Sequence, residues 1–370
     1  MPVYSLEDIK KHARFFGRTI PNGDCTVEFF NWTCSGFEVR FTGKKLAAEM
    51  VSIPARAPMT QEVIYEYPWV AVLVDGSEEF SQRFELAEQE KWYTLFESET
   101  AGTHTVRVVK LSENARGKTG LKSIGTDGAL EKVPAYEPSL RLEFVGDSIT
   151  CGYGNEAGNR DAPFKTGEEN GWITYASLAA RELGAEFSCV CVSGISVSHG
   201  MRQRFPLPMM LPAMEDVYKY TDQLYDTVSG NNGEKEVWNF AGNPVDAVII
   251  NLGTNDVNAI KLAGLEEKDL EEKFFIERYR KFIEQIRSLN GSKPHIFCTL
   301  GPLDYYLYDS IKEAVREYKE QTGDERVTCY KFGGVNLFTE GFGAVGHPSA
   351  KTHRRMADEL KALLSKHLSV

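Results

Sequence analysis

The chain has 370 residues, 42% of them hydrophobic and 26% charged, and its 42 basic against 53 acidic side chains leave a formal net charge of −11. That composition excludes a disordered, collagenous or low-complexity chain, and the length suits two domains better than one. The acidic balance repels phosphate backbones and anionic headgroups and, with no basic patch along the chain, argues against nucleic acid or a membrane surface as partner.

The first residues, MPVYSLEDIKKHARFFGR, carry no apolar run with a cleavage site, and nowhere do 18 consecutive apolar residues occur. The expectation is a cytoplasmic protein without a membrane span. Cysteines at 25, 34, 151, 189, 191, 298 and 329 are odd in number and form no CxxC pair. They read as reduced thiols, and Cys189 and Cys191 as small buried side chains of a strand.

A short helix precedes Phe15. Beyond it Phe37, Val39 and Phe41 alternate with polar residues, as do Val106 and Val108, and comparable runs occur at 25–32, 62–75, 91–98 and 119–124. Period two marks half-buried strands, so residues 1–132 read as an antiparallel β-sandwich of jelly-roll type. Residues 133–139, ValProAlaTyrGluProSer, read as the linker.

From residue 140 to 370 the pattern becomes compact apolar runs alternating with amphipathic segments. The runs are Leu142 to Val145, Phe187 to Val192, Val245 to Leu252, His295 to Leu300 and Val327 to Phe332. Helices are expected from Trp172 to Leu183, around 214–228, over 266–289, over 309–321 and from Ser349. In the last, Met356, Leu360, Leu363, Leu364 and Leu368 form one apolar stripe. Strands alternating with helices give a three-layer α/β/α domain with a parallel sheet.

Ligands of open parallel sheets bind at the carboxyl ends of the strands. There lie Gly146-Asp147-Ser148-Ile149-Thr150, Ser193-Gly194-Ile195 and Gly253-Thr254-Asn255-Asp256, and His347-Pro348 precedes the last helix. Together they supply a serine hydroxyl, a histidine to take its proton, and three donors for a tetrahedral oxyanion: the N–H groups of Ser148 and Gly194 and the amide of Asn255. Asp147 and Asp256 read as acceptors that brace loops, and Cys151 as a packed thiol. His199 competes with His347 for the base, whereas His295 starts a strand at the wrong edge.

These four blocks, in this order, resemble the SGNH (GDSL-like) hydrolase superfamily, whose domain is flavodoxin-like. Gly17-Arg18, the stretch PheAsnTrpThrCysSerGlyPheGluValArgPheThrGly (30–43) and GlyAspSerIleThrCysGlyTyrGly (146–154) resemble carbohydrate esterase family 2, in which a β-sandwich precedes such a domain. The resemblance implies an O-acetyl esterase acting on acetylated xylo-, manno- or gluco-oligosaccharides, with Ser148 as nucleophile, His347 as base, and Ser148, Gly194 and Asn255 as oxyanion hole. One departure stands out: SGNH enzymes place an Asp three residues before the histidine, where this chain has Ala344. Either a backbone carbonyl orients the imidazole of a Ser148–His347 dyad, or a remote carboxylate completes a triad. The family's aromatic before the histidine is Gly346 here, which implies a wider site.

Tyr153, Trp172 and Trp238 are candidates to stack on a sugar, with core packing as the competing reading for each. GlyPheGlyAlaValGly (341–346) and GlyTyrGlyAsnGluAla (152–157) imitate dinucleotide loops, but neither has the strand and helix that motif needs. No HExxH, P-loop or CxxC occurs, so neither metal nor other cofactor is implied. Rival readings are an SGNH lipase, lysophospholipase or thioesterase, which would need an acyl tunnel, and a non-catalytic carbohydrate-binding protein. An oligomer is compatible with the sequence but not indicated by it.

Overall fold

A computed structural model describes residues 1–56, 64–198, 212–229, 235–262, 264 and 267–368. The chain forms two compact units. The first comprises Met1–Glu137 together with Lys165–Gly171 and Thr221–Lys235; the second comprises Pro138–Phe164, Trp172–Tyr220 and Glu236–Val370.

The first unit opens with a short helix, α1 (Leu6–His12), capped by Ser5, whose hydroxyl accepts from Asp8 N–H. Its core is an antiparallel ten-stranded sheet built on two long strands, β1 (Gly36–Ile53) and β2 (Glu90–Lys110), with β3 (Lys118–Thr126) beside β1. Alternation places Phe37, Val39 and Phe41 inward on the first half of β1, yet Leu46, Ala48 and Met50 on the second half. The odd-to-even switch falls where the β1–β2 register breaks, between the Lys45↔Glu97 and Gly43↔Gly102 pairs. An irregularity there shifts the pleat by one residue, so both halves turn apolar side chains to one core.

The sequence assigns all of 140–370 to the hydrolase domain, whereas two of its segments pack with the first unit. The reason is a set of buried polar partners. Glu169 accepts the Glu113 N–H at 2.8 Å, and Asp222 accepts the side-chain amides of Asn31 and Asn114 at 2.7 and 2.9 Å. The Trp32 indole donates to Thr221 O at 2.9 Å.

In the second unit five parallel strands, β4 (Arg141–Gly146), β5 (Glu186–Cys191), β6 (Ala247–Asn251), β7 (His295–Leu300) and β8 (Val327–Lys331), lie in the order β5-β4-β6-β7-β8. Leu142 and Phe144 of β4 face a core shared with Cys189, Cys191 and Cys151, covered by helices near residues 175–182 and 350–368. The helix Lys268–Asn290 has its own apolar face, with Phe275, Tyr279, Phe282, Ile283 and Ile286 buried. The 214–228 segment, expected as one helix, is two: Met214–Val217 and Gln223–Val228, the second capped by Asp222, which accepts from Tyr225 N–H. Because the chain reverses direction along the sheet after β5, the crevice between β4 and its neighbours opens at their carboxyl ends.

Candidate active site

The nucleophile turn is built by its own side chains. Helix α2 (Ser148–Cys151) is a single turn, and Asp147 caps it by accepting the Ile149 N–H at 2.9 Å. A Cβ on Gly146 would come within 1.9 Å of Thr150 Oγ1, so only glycine lets Thr150 fold back over the strand end. The turn closes at Gly152, in the left-handed conformation that ends a helix without strain. Ser148 is thereby presented at the end of β4 and is 8% exposed.

His347 arrives from a loop locked to the segment following α2. Ala344 N–H donates to Gly154 O at 2.9 Å, and Ala350 N–H donates to Asn155 O at 3.0 Å. The two loops touch so closely that a Cβ on Gly154 would lie 2.4 Å from the Ala344 Cβ, and one on Gly343 would lie 2.3 Å from Gly154 O. This contact brings His347 Nε2 to 3.0 Å from Ser148 Oγ, across 199 residues of sequence. The other ring nitrogen, Nδ1, is 3.2 Å from Ala344 O. With the proton on Nδ1 donated to that carbonyl, Nε2 is left as an acceptor for the serine hydroxyl.

Three donors lie at the same rim. Among the described residues, neither Ser148 N–H nor Gly194 N–H has an acceptor; Gly194 is exposed, with φ +82°. The Asn255 amide donates to Ile195 O at 3.0 Å and has only a long contact, 3.4 Å, to Asp147 Oδ2. A negative oxygen arriving between these groups would be a stronger acceptor than that distant carboxyl.

Asp147 and Asp256 hold the frame. Asp256 accepts Val197 N–H at 3.0 and 3.1 Å and Ser198 N–H at 3.4 Å, pinning the loop that carries Gly194. Burial pushes both carboxyls up to about 7, and the nearby Asp256 charge adds to the shift of Asp147.

Among the aromatic candidates, Tyr153 is at the site: its ring stacks on Phe164 with centroids 4.0 Å apart and lies 4.4 Å from the His347 ring. Trp172 is not available to a sugar. It is 5% exposed, with the Arg181 guanidinium 4.1 Å over its ring, and its carbonyl accepts from Ser177 in the first turn of the following helix and from Arg181 in its last. Trp238 is half-buried in a segment whose backbone runs against residues 219 and 220, with its N–H on Lys219 O at 3.0 Å. His295 begins β7 at the amino edge and bonds Thr328, while His199 lies outside the described residues. His353, which sequence reasoning passed over, is buried behind the site and accepts the Tyr175 N–H at 3.3 Å; burial, aided by His347, holds its ring down at about 3. Nothing in its sequence position, inside an amphipathic helix, marks it.

Residues 15–134 match the carbohydrate esterase 2 N-terminal family, and residues 144–355 match the GDSL-like lipase/acylhydrolase family. A cellulase/esterase of Acetivibrio thermocellus is 28% identical over 311 residues, 81% of this chain, which spans only 34% of that relative's length. An acetylxylan esterase/glucomannan deacetylase of Cellvibrio japonicus is 25% identical, with 94% of this chain and 87% of the relative covered. Among solved structures, a family two carbohydrate esterase from Clostridium thermocellum, an active-site mutant in complex with a cello-oligosaccharide, superposes with TM-score 0.80 at 25% identity over 97% of this chain and 99% of that one. An acetyl xylan esterase from the rumen bacterium Butyrivibrio proteoclasticus shares the fold, with TM-score 0.81 at 24% identity over 100% and 98% of the two chains.

Proposed function

The chain belongs to the GDSL-like lipase/acylhydrolase family of carboxylic ester hydrolases, and from that premise we propose that it removes O-acetyl groups from neutral oligosaccharides with a Ser148–His347 dyad. The observation that carries this reading is the pair of contacts on one imidazole, Nε2 to Ser148 Oγ at 3.0 Å and Nδ1 to Ala344 O at 3.2 Å. The named esterases and deacetylases among its relatives, and the N-terminal family match, support a sugar ester over a lipid ester.

Ser148 Oγ attacks the acetyl carbonyl carbon as its proton passes to His347 Nε2. The carbonyl oxygen becomes an oxyanion held by Ser148 N–H, Gly194 N–H and the Asn255 amide, each lost donor costing about 3 kcal/mol of transition-state stabilisation. Collapse breaks the bond to the sugar oxygen, which takes the proton from His347, and leaves acetyl-Ser148. Water then attacks that ester with its proton going to His347; Ser148 recovers the proton as acetate leaves. Ala344 O keeps the ring in the right tautomer throughout without adding a charge.

The test is acetate release from acetylated xylo-, manno- and gluco-oligosaccharides, with Ser148→Ala and His347→Ala as controls. Release abolished in both variants is the expected result. A wild type that prefers p-nitrophenyl octanoate to the acetate would overturn the acetyl reading, and wild type and variants equally inert on every ester would overturn catalysis.

A further inference from the structure

Against the histidine loop lies an open depression of about 420 Å³ lined by Arg160, Asp161, Ala162, Pro163, Val345 and Gly346. We propose that it is the subsite for the leaving sugar and that Arg160 and Asp161 select a neutral pyranose there; the assignment rests on the esterase reading above and deepens it. The location follows from the chemistry. His347 must hand its proton to the departing alkoxide, so the leaving ring lies on the histidine side of the acetyl group. Val345 and Gly346, the two residues before His347, form one wall of the depression, and Ala162 O and Arg160 O fasten that wall by accepting their N–H groups at 3.2 and 3.0 Å.

The lining fits a polyol. Among the described residues, neither the Arg160 guanidinium nor the Asp161 carboxylate has an ion-pair partner or side-chain hydrogen bond. The Arg160 guanidinium carbon lies 5.1 Å from the Phe342 ring centroid, which holds the side chain over an aromatic face. Gly346 leaves the space in front of it open: a Cβ there would sit 3.7 Å from Arg160 Nε. A sugar hydroxyl both accepts and donates, so a fork of donors beside a carboxylate matches vicinal hydroxyls. The Asp161 charge opposes a uronate, which a lone arginine would otherwise favour. Val345, 59% exposed and held at φ +50°, a conformation a β-branched residue seldom adopts, offers an apolar surface to the ring's C–H face together with Pro163.

The experiment is calorimetric titration of unacetylated xylo-oligosaccharide, cello-oligosaccharide and glucuronic-acid-bearing xylo-oligosaccharide into the full chain as Ser148→Ala, alone and combined with Arg160→Ala, Arg160→Lys or Asp161→Ala. Expected are about tenfold weaker neutral-sugar binding with Arg160→Ala, partial retention with Arg160→Lys, and weaker neutral but stronger uronate binding with Asp161→Ala. In the otherwise wild-type chain, the ratio of kcat/KM for acetylated oligosaccharide to that for p-nitrophenyl acetate should fall about tenfold with Arg160→Ala, through KM. Neutral-sugar affinity unchanged by Arg160→Ala, or a parent protein that binds the uronate better or no oligosaccharide at all, overturns the subsite. Arg160-dependent sugar binding without any acetate release would instead overturn the esterase reading and leave the subsite standing.

Discussion

Ala344 holds His347 through a single oxygen: its carbonyl accepts the histidine backbone N–H at 3.0 Å and lies 3.2 Å from the ring Nδ1. Ala344 is also fully buried, with its Cβ packed toward Gly154. The position three residues before the histidine therefore meets the imidazole through its backbone, and its side chain is a buried methyl.

Two outcomes follow for that relationship. His347→Ala and Ser148→Ala should each lower kcat by about 10³-fold or more, while no carboxylate-to-amide substitution that preserves the melting temperature reaches the roughly 10⁴-fold loss of a triad acid. Ala344→Asp, which restores the acid the superfamily carries, should lower the melting temperature without raising kcat, because it buries an unpaired charge against the Gly154 loop. A gain in kcat with the fold intact would show that a carboxylate can reach the imidazole after all.

Of the three proposed oxyanion donors, Asn255 is the one that acts through its side chain, and its amide is already aimed by Ile195 O. Asn255→Ala should cost about 10²- to 10³-fold in kcat with little change in KM, since an oxyanion donor acts on the transition state and not on the bound ester. Steady-state kinetics on p-nitrophenyl acetate suffice; a loss carried mainly by KM would instead make Asn255 a substrate-binding residue.

Most of this architecture was legible in the sequence. The central strands β4, β6 and β7 were readable because nearly every residue in them is buried and they appear as compact apolar runs, while the edge strands β5 and β8 are buried only in part; the carboxyl ends of the strands pointed to Ser148, Gly194 and Asn255. The contact that sets His347 was not, although its letters were visible: the glycine runs at 152–157 and 341–346 read as two unrelated loops, and they are the two sides of one contact, Gly154 against Ala344 and Gly343 against Gly154 O. Such close approach is a property of a pair, and neither run reveals it alone. Trp172 stayed open between sugar stacking and core packing for the converse reason, because a tryptophan near a rim looks the same in sequence whether or not an arginine covers it.

The two buried titratable types at the site bend stability with pH in opposite directions. Asp256, raised to about 7 by burial, holds its proton more tightly folded than unfolded, so its contribution is full below about 4 and is lost as pH rises toward 7. Asp256→Asn removes that titration. Its melting-temperature deficit relative to wild type should therefore shrink between pH 4 and 7 and level off above, and a deficit that grows over this range would contradict the burial argument.

His353 runs the other way. Burial, with His347 adding repulsion, lowers its ring to about 3, so the folded chain keeps it neutral while the unfolded chain takes up a proton below about 6.5. Its contribution is complete above that value and is lost as pH falls toward 3. His353→Asn keeps an acceptor for the Tyr175 N–H but cannot titrate, so thermal denaturation of the variant should lose less than wild type between pH 7 and 5. Parallel melting curves for the two proteins across that window would mean that the ring is not held neutral.

Gly343→Ala separates positioning from stability. Gly343 has φ −82°, which alanine adopts freely, so the substitution adds no backbone strain, only a methyl that would meet Gly154 O at 2.3 Å. The loop must move outward by several tenths of an ångström, and it carries His347 with it, since Gly343 N–H donates to His347 O at 2.8 Å. A nucleophile–base pair at 3.0 Å tolerates such a shift poorly, displacement by about 1 Å costing roughly 10²-fold in rate. The expected result is a ten- to hundredfold fall in kcat with KM within twofold and a melting temperature lowered by only a few degrees. If kcat survives the added methyl, the imidazole is not set by the Gly154–Ala344 contact, and its alignment with Ser148 must come from elsewhere in the histidine loop.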